Sequence, residues 1–236
     1  MTPKSEPSRK SIIAAWAIHV FTATGILFAF LSLAAMWDGR ADYALWWLAA
    51  AVIVDSADGT LARAFRVTEN TPFMDGALLD NIIDYITWTL LPLFWAHLFL
   101  DVHIAVCIFA AMASSLGFSR TDAKTDDLYF LGFPSYWNFI VLYLYVFDLS
   151  PDWSSAILIF LGIMVFIPLK WIYPSRTQVL MKTTLVLSGI YIIFIIYMLI
   201  YLDDTPLWVA SFSLFYPIYY IAASIYYGNL PSNGRT

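Results

Sequence analysis

The chain has 236 residues, of which 61% are hydrophobic and 18% aromatic, while only 12% are charged. This apolar fraction is larger than a soluble domain of such a length can bury, so the composition excludes a soluble globular protein. The formal net charge of −5 identifies no partner, because acids and bases collect in different parts of the chain. We expect no nucleic-acid partner.

Apolar runs close to the ~20 residues needed to cross a bilayer recur from end to end. They predict an all-α, polytopic membrane protein with about eight transmembrane helices. The predicted spans are 12–37, 42–66, 72–100, 102–119, 134–148, 153–169, 182–201 and 206–227. Neither a repeat nor a soluble segment interrupts them, which predicts one integral membrane domain over residues 1–236.

The basic residues predict the orientation, because cytoplasmic loops carry an excess of Lys and Arg. With the N-terminus inside, eleven of the twelve basic residues fall on the cytoplasmic side, and only Arg40 falls outside. We therefore expect both termini to be cytoplasmic.

Five aspartates lie between residues 55 and 84, in the second and third predicted spans. Asp55 and Asp58 are three residues apart, while Asp80 and Asp84 are four apart, so each pair projects from one face of its helix. With helix ends at 66 and 72, Asp58 and Asp80 lie ~12 Å from the inner end, and Asp55 and Asp84 lie ~16 and ~18 Å from it. The two pairs are expected at similar depth.

Four carboxylates at one depth would repel one another unless they are neutralised. Two divalent cations would neutralise them, and carboxylate oxygens suit Mn²⁺ or Mg²⁺. Paired metals suit in-line displacement at phosphorus. Gly59, Ala62 and Gly76 leave space for a ligand, and Arg63 is placed to hold a phosphate. A cation or choline transporter is the alternative for an acidic cavity with aromatic residues nearby.

These residues read Asp55-x2-Asp58-Gly59-x2-Ala62-Arg63-x12-Gly76-x3-Asp80-x3-Asp84. The pattern resembles the signature of the CDP-alcohol phosphotransferases, in which two metals held by the aspartates assist transfer from a cytidine diphosphate carrier to an alcohol. Most members have a shorter gap before the second glycine and fewer spans. The longer gap, the eight spans and the segment DAKTDDLYFLGFPSYWN (122–138) resemble the bacterial phosphatidylcholine synthase branch.

The resemblance implies specific roles. The ligands of two Mn²⁺ or Mg²⁺ ions would be Asp55, Asp58, Asp80 and Asp84, with Asp84 also acting as the base. The residues lining the CMP end of the substrate would be Gly59, Ala62, Arg63 and Gly76. The substrates would be CDP-diacylglycerol and choline, handled by a homodimer among membrane lipids in the bacterial inner membrane, with the active site open to the cytoplasm. Serine, inositol and glycerol phosphate stay open as other acceptors.

Four more positions have candidate roles outside that signature. Arg120 and Lys124 follow the fourth span, where they either bind a second anionic group or reflect topology alone. Tyr136 and Trp137 are expected to present aromatic faces to the quaternary ammonium of choline. His19 on the first span either faces the cavity or is a hydrogen-bonded packing histidine, the more common case.

Overall fold

The computed structural model describes residues 8–174 and 176–229 and is predominantly helical. Five of its helices are long and apolar enough to cross a membrane: Arg9–Trp37, Ala41–Ala64, Gly76–Phe99, Met181–Ile200 and Leu207–Asn229. Three shorter apolar helices are Ile104–Phe118, Trp137–Val146 and Pro151–Met164. Many large apolar side chains on the long helices face outward, such as Phe30 and Ile53, which are 68% and 70% exposed. These faces suit lipid and indicate a multi-pass membrane protein.

The elements in chain order are α1 (Arg9–Trp37), α2 (Ala41–Ala64), α3 (Val67–Asn70), α4 (Gly76–Asp84), a π-helix (Tyr85–Leu90), α5 (Leu91–Phe99), α6 (Ile104–Phe118), β1 (Tyr129–Leu131), α7 (Trp137–Val146), α8 (Pro151–Met164), β2 (Lys170–Ile172), α9 (Met181–Ile200), a 3₁₀ turn (Leu202–Asp204), α10 (Leu207–Ser213), α11 (Phe215–Ala223) and a second π-helix (Ser224–Asn229). Each predicted span thus contains an apolar helix. The count of eight crossings stays a prediction, as does the cytoplasmic location of the termini, which lie outside the described residues.

Two compact units make up the chain, one ending at Pro92 and the other beginning at Leu93. A single domain over residues 1–236 stays a prediction. The first unit is built on the hairpin of α1 and α2, which is closed by a turn in which Gly39 has a positive φ of 68°. The fully buried Ser32 ties the two helices together, because its hydroxyl donates to the Ala44 carbonyl at 3.0 Å. Small residues such as Ala15 and Ala51 are buried along the hairpin, where they let the helices approach closely.

The long gap between Arg63 and Gly76 has a structural role in this unit. Arg66 takes a left-handed conformation with φ 49° and ends the α2 segment, and α3 follows directly. Val67 of α3 packs against Ala15 and Ile18 of α1, so the extra residues form an additional turn of helix that is held to the first span.

The third long helix begins at Gly76 rather than at residue 72. Asp75 is its N-cap and accepts a hydrogen bond from the Leu78 amide at 2.9 Å, while Thr71 is fully buried in the preceding turn. The predicted start was therefore wrong by four residues, because the segment after Arg66 is used for α3 and a cap. Measured from the observed ends, Asp80 and Asp84 lie ~6 and ~12 Å along their helix, and Asp58 and Asp55 ~9 and ~14 Å along theirs.

The second unit contains the remaining helices and a two-stranded antiparallel sheet of β1 and β2, in which Phe130 pairs with Trp171. The last residue of the second π-helix, Asn229, fixes this sheet, because its side chain bonds to both the amide and the carbonyl of Lys170. Gly132 follows β1 with φ 84°, and a Cβ there would collide with the Val165 carbonyl. The sequence predicted only loops at the two strands.

Candidate active site

Three aspartates of the first unit converge. Asp55 on α2 and Asp80 and Asp84 on α4 each place a carboxylate oxygen within 4.8 Å of the other two. All three side chains are half-buried, so the cluster is partly shielded from water. The convergence follows from the spacing, because Asp80 and Asp84 are one turn apart on the face of α4 that meets Asp55.

The donor set fits a hard divalent cation. A bond from Mg²⁺ to oxygen is about 2.1 Å, so two ligands on opposite sides of one ion lie about 4.2 Å apart and neighbouring ligands lie closer. Carboxylate oxygens within 4.8 Å of one another therefore need only small side-chain adjustments to share an ion. The charge also fits, since three carboxylates this close repel one another strongly without a cation.

Asp58 stands next to this group without being one of the three. It lies almost one turn after Asp55 on α2 and is only 5% exposed. Its charge acts on Asp84, as do the charges of Asp55 and Asp80. Asp58 therefore adds a fourth carboxylate near the group of three.

Arg63 and Gly59 lie together on the α2 surface beyond the aspartates. The Arg63 side chain folds back toward the N-terminus of its helix, and Nη2 donates to Thr60 Oγ1 at 3.0 Å. A Cβ added at Gly59 would lie 3.3 Å from Arg63 Nη1. The glycine therefore leaves room for the guanidinium, which is exposed and can reach an anion.

The two other small residues of the motif have different neighbours. Ala62 is half-buried and packs against the cluster of Ala15, Ile18 and Val67, where α1, α2 and α3 meet. Gly76 lies against His19 of α1, and a Cβ on Gly76 would lie 3.2 Å from His19 Cε1. Ala62 thus serves helix packing in the first unit, and Gly76 leaves an open approach beside a histidine ring.

A π-helix follows Asp84 directly, and the sequence did not predict it. Thr87 in this segment is 1% exposed, and its hydroxyl donates to the Ile83 carbonyl at 3.0 Å. Thr89 is fully buried as well. Single π-helical turns occur frequently at functional sites. Two buried threonines in an apolar span were the only signal of this irregularity.

Arg120 and Lys124 belong to the second unit and have separate surroundings. Arg120 forms two hydrogen bonds to Asp122, from Nε at 2.8 Å and from Nη2 at 2.7 Å. The donated bonds hold the pKa of the Asp122 carboxyl below its ordinary value. Lys124 is exposed, and its backbone forms a bridge with Phe130. An anionic ligand at Arg120 would compete with Asp122.

Tyr136 and Trp137 also belong to the second unit and differ in exposure. Trp137 is fully buried, donates its indole N–H to Ser114 at 2.9 Å, and packs edge-on against Phe133. Tyr136 is half-buried and meets Tyr220 edge-on, with ring centroids 6.0 Å apart. Trp171 in turn stacks on Tyr220 at 5.9 Å. Tyr136 therefore belongs to a group of contacting aromatic rings with Tyr220 and Trp171, while Trp137 is part of the core.

Comparisons with known proteins give a consistent result. A protein of Borreliella burgdorferi named phosphatidylcholine synthase is 38% identical over 222 residues, covering 92% of this chain and 95% of that protein. A protein of the same name from Legionella pneumophila is 35% identical and covers 96% of this chain and 93% of its own length. One from Agrobacterium fabrum is 33% identical, with coverages of 91% and 88%. No protein-family model matches the chain.

Proposed function

The chain belongs to the phosphatidylcholine synthase family, and we propose that it transfers the phosphatidyl group of CDP-diacylglycerol to choline at the aspartate cluster of α2 and α4. The products are phosphatidylcholine and CMP. Relatives of this name match nearly the full length of the chain. The observation that carries the location of the site is the convergence of three carboxylates within 4.8 Å.

Asp55, Asp80 and Asp84 would hold one divalent cation, Mn²⁺ or Mg²⁺, and Asp58 would help to hold a second. When bound, the two ions supply positive charge that offsets the negative charge of the diphosphate and of the leaving group. The proposal is supported by the donor set, because carboxylate oxygens are the preferred ligands of both ions.

Asp84 acts as the general base. The choline hydroxyl is a weak nucleophile until it loses its proton, and the Asp84 carboxylate accepts that proton as attack begins. The choline oxygen forms a bond to the phosphorus that carries diacylglycerol, while the bond from that phosphorus to the oxygen of CMP breaks. CMP leaves with the electron pair of the broken bond, and no covalent enzyme intermediate forms.

Arg63 holds the nucleotide end of the substrate. Its guanidinium is kept over Gly59 by the hydrogen bond to Thr60, so it is already oriented before an anion arrives. Arg is suited to this task, because its planar group forms two parallel hydrogen bonds to phosphate oxygens. Gly59 and Gly76 provide the close approach that a nucleotide needs, and the small Ala62 side chain would line the same end while it packs against α1.

The residues of the second unit are assigned by chemistry. Tyr136 offers an aromatic face to a trimethylammonium group, while the neighbouring Trp137 is fully buried in the core. Arg120 and Lys124 attract an anionic group of the lipid. When this group binds, Arg120 gives up its hydrogen bonds to Asp122. We place the enzyme, as a homodimer, in the bacterial cytoplasmic membrane, with the site open to the cytoplasm.

One experiment tests this function. Purified protein in mixed micelles with CDP-diacylglycerol should release CMP when choline and Mn²⁺ are both present, and EDTA should stop the release. Asp80→Asn should abolish release, whereas Asp75→Asn should not, because Asp75 caps α4 and asparagine caps equally well. Choline-independent CMP release or full activity in EDTA would contradict the proposal, as would choline uptake into proteoliposomes without CMP release.

A further inference from the structure

His19 of α1 is a buried histidine with one ring nitrogen fixed by a hydrogen bond. The residue is 5% exposed, and Nε2 lies 2.9 Å from Thr71 Oγ1. The Thr71 hydroxyl donates its only hydrogen to the Val67 carbonyl at 3.0 Å. In the tautomer consistent with that donation, Thr71 Oγ1 accepts from His19, the proton is on Nε2, and Nδ1 carries a lone pair.

The other edge of the ring faces the beginning of α4. A Cβ on Gly76 would lie 3.2 Å from His19 Cε1 and 3.7 Å from Nδ1. Within residues 8–174 and 176–229, Nδ1 has no protein hydrogen-bond partner. An acceptor thus lies beside a residue without a side chain, one helical turn before Asp80.

We propose that His19 Nδ1 accepts a hydrogen bond from the nucleotide part of the CDP-linked lipid, and this inference rests on the proposed function. The substrates themselves lead to that choice. The trimethylammonium of choline has no N–H, and its single hydroxyl is needed at Asp84. The diphosphate and the diacylglycerol esters carry acceptors only. The ribose hydroxyls and the cytosine amino group are the donors that remain.

His19 lies outside residues 55–84, so it adds a recognition element from a third helix. α1 would contact the nucleotide while α2 and α4 hold the diphosphate. Gly76 serves this contact directly, because any larger residue would occupy the space between the ring and an approaching ligand. Thr71 is the positioning residue, since its hydroxyl selects the tautomer in which Nδ1 can accept.

The decisive variant is His19→Gln, because the glutamine amide can still donate to Thr71 while the acceptor at Nδ1 is lost. We expect the KM for CDP-diacylglycerol to rise about two- to twelvefold, the range for one neutral hydrogen bond, with kcat and the KM for choline unchanged. The matched control is His97→Gln, a second histidine whose Nδ1 pairs with the Val102 carbonyl at 2.8 Å. It should leave both KM values unchanged.

Binding of CMP, measured by calorimetry, tests the contact without catalysis. 2′-Deoxy-CMP, 3′-deoxy-CMP and UMP each lack one of the candidate donors. The wild type should bind one of them more weakly than CMP, and His19→Gln should bind that analogue and CMP alike. Thr71→Val should weaken CMP binding, whereas Thr71→Ser should not, which keeps the test valid if His19→Gln folds poorly.

Equal CMP affinity in wild type and His19→Gln would overturn the inference. So would a loss shared equally by all four nucleotides, or a rise in both KM values together, because these results indicate a packing role. If the wild type binds CMP with the expected analogue pattern but forms no CMP from CDP-diacylglycerol and choline, the proposed function fails while the His19 contact stands.

Discussion

Asp84→Asn should make the metal-free protein more stable and less active at the same time. Asp84 shares a site with Asp55 and Asp80, and the carboxylate oxygens lie within 4.8 Å of one another. At that separation, with an effective dielectric constant of about 20, each charged pair repels by about 3.5 kcal/mol. The amide removes two of the three pairs while it keeps the shape of the side chain.

Water and counterions offset most of this repulsion, so we expect the free energy of unfolding in EDTA to rise by about 1–2 kcal/mol. For a chain of 236 residues, this corresponds to a Tm increase of about 2–8 °C. Manganese at 100 times its Kd should stabilise the wild type by about 2.7 kcal/mol and the variant by much less. Choline-dependent CMP release should fall by about 10²–10⁴, the contribution of a general base, while CDP-diacylglycerol still binds.

The assay is thermal unfolding of purified protein in detergent, in EDTA and across a manganese titration, together with CMP release. The control is Asp75→Asn, which changes an aspartate at the start of the same helix and should alter neither the manganese response nor turnover. If Asp84→Asn lowers Tm in EDTA and manganese shifts both proteins equally, the three carboxylates do not form a shared cation site. If binding and turnover fall in proportion, Asp84 serves mainly to hold the metal, and its role as the base is wrong.

Three further predictions follow from single contacts. Gly25→Ala should destabilise the first unit by about 1–3 kcal/mol, because its Cβ would lie 2.5 Å from Ile83 Cγ2; Gly189→Ala, which meets nothing within 4 Å, should leave Tm unchanged or slightly higher. Arg63→Ala should raise the KM for CDP-diacylglycerol about ten- to hundredfold, as expected for a charged hydrogen bond, whereas Arg40→Ala at the other end of α2 should not; equal KM values would remove Arg63 from the phosphate site. An alcohol with tert-butyl in place of trimethylammonium should react about five- to thirtyfold less efficiently than choline, and equal efficiency would exclude recognition by aromatic faces.

Much of the fold was predictable because apolar length is a strong signal in a membrane chain. Each of the predicted spans contains a helix, and most of the observed ends lie within a few residues of the predicted ones. The sequence does not predict the start of α4, because Pro72 is a typical first residue of a helix, whereas Arg66 turns the chain and Asp75 caps α4. The strands β1 and β2 were missed because three residues are too few for an alternating pattern.

The convergence of Asp55, Asp80 and Asp84 was predictable from helical spacing and depth, whereas the prediction also included Asp58, which is not one of the three grouped residues. What spacing cannot supply is which neighbour each polar group meets. Asp122 next to Arg120, and Thr71 next to His19, depend on how the chain folds around a turn. Such pairs are set by local backbone conformation and by contacts between residues distant in sequence, which a hydropathy pattern does not contain.

The π-helix after Asp84 changes how this helix tolerates insertions and deletions over evolution. A π-helical turn contains one residue more than an α-helical turn, and each extra residue in an α-helix rotates everything beyond it by about 100°. Here the π-helix at Tyr85–Leu90 accommodates the extra residue. The part of the helix that carries the aspartates and the part beyond Leu90 therefore need not present their buried residues along one continuous α-helical face. A homologue with one residue fewer in this stretch would return to a regular α-helix and keep the facing of both halves. A one-residue deletion between Tyr85 and Leu90 would therefore disturb the structure little. A deletion just before Asp84 would instead rotate Asp84 away from Asp55.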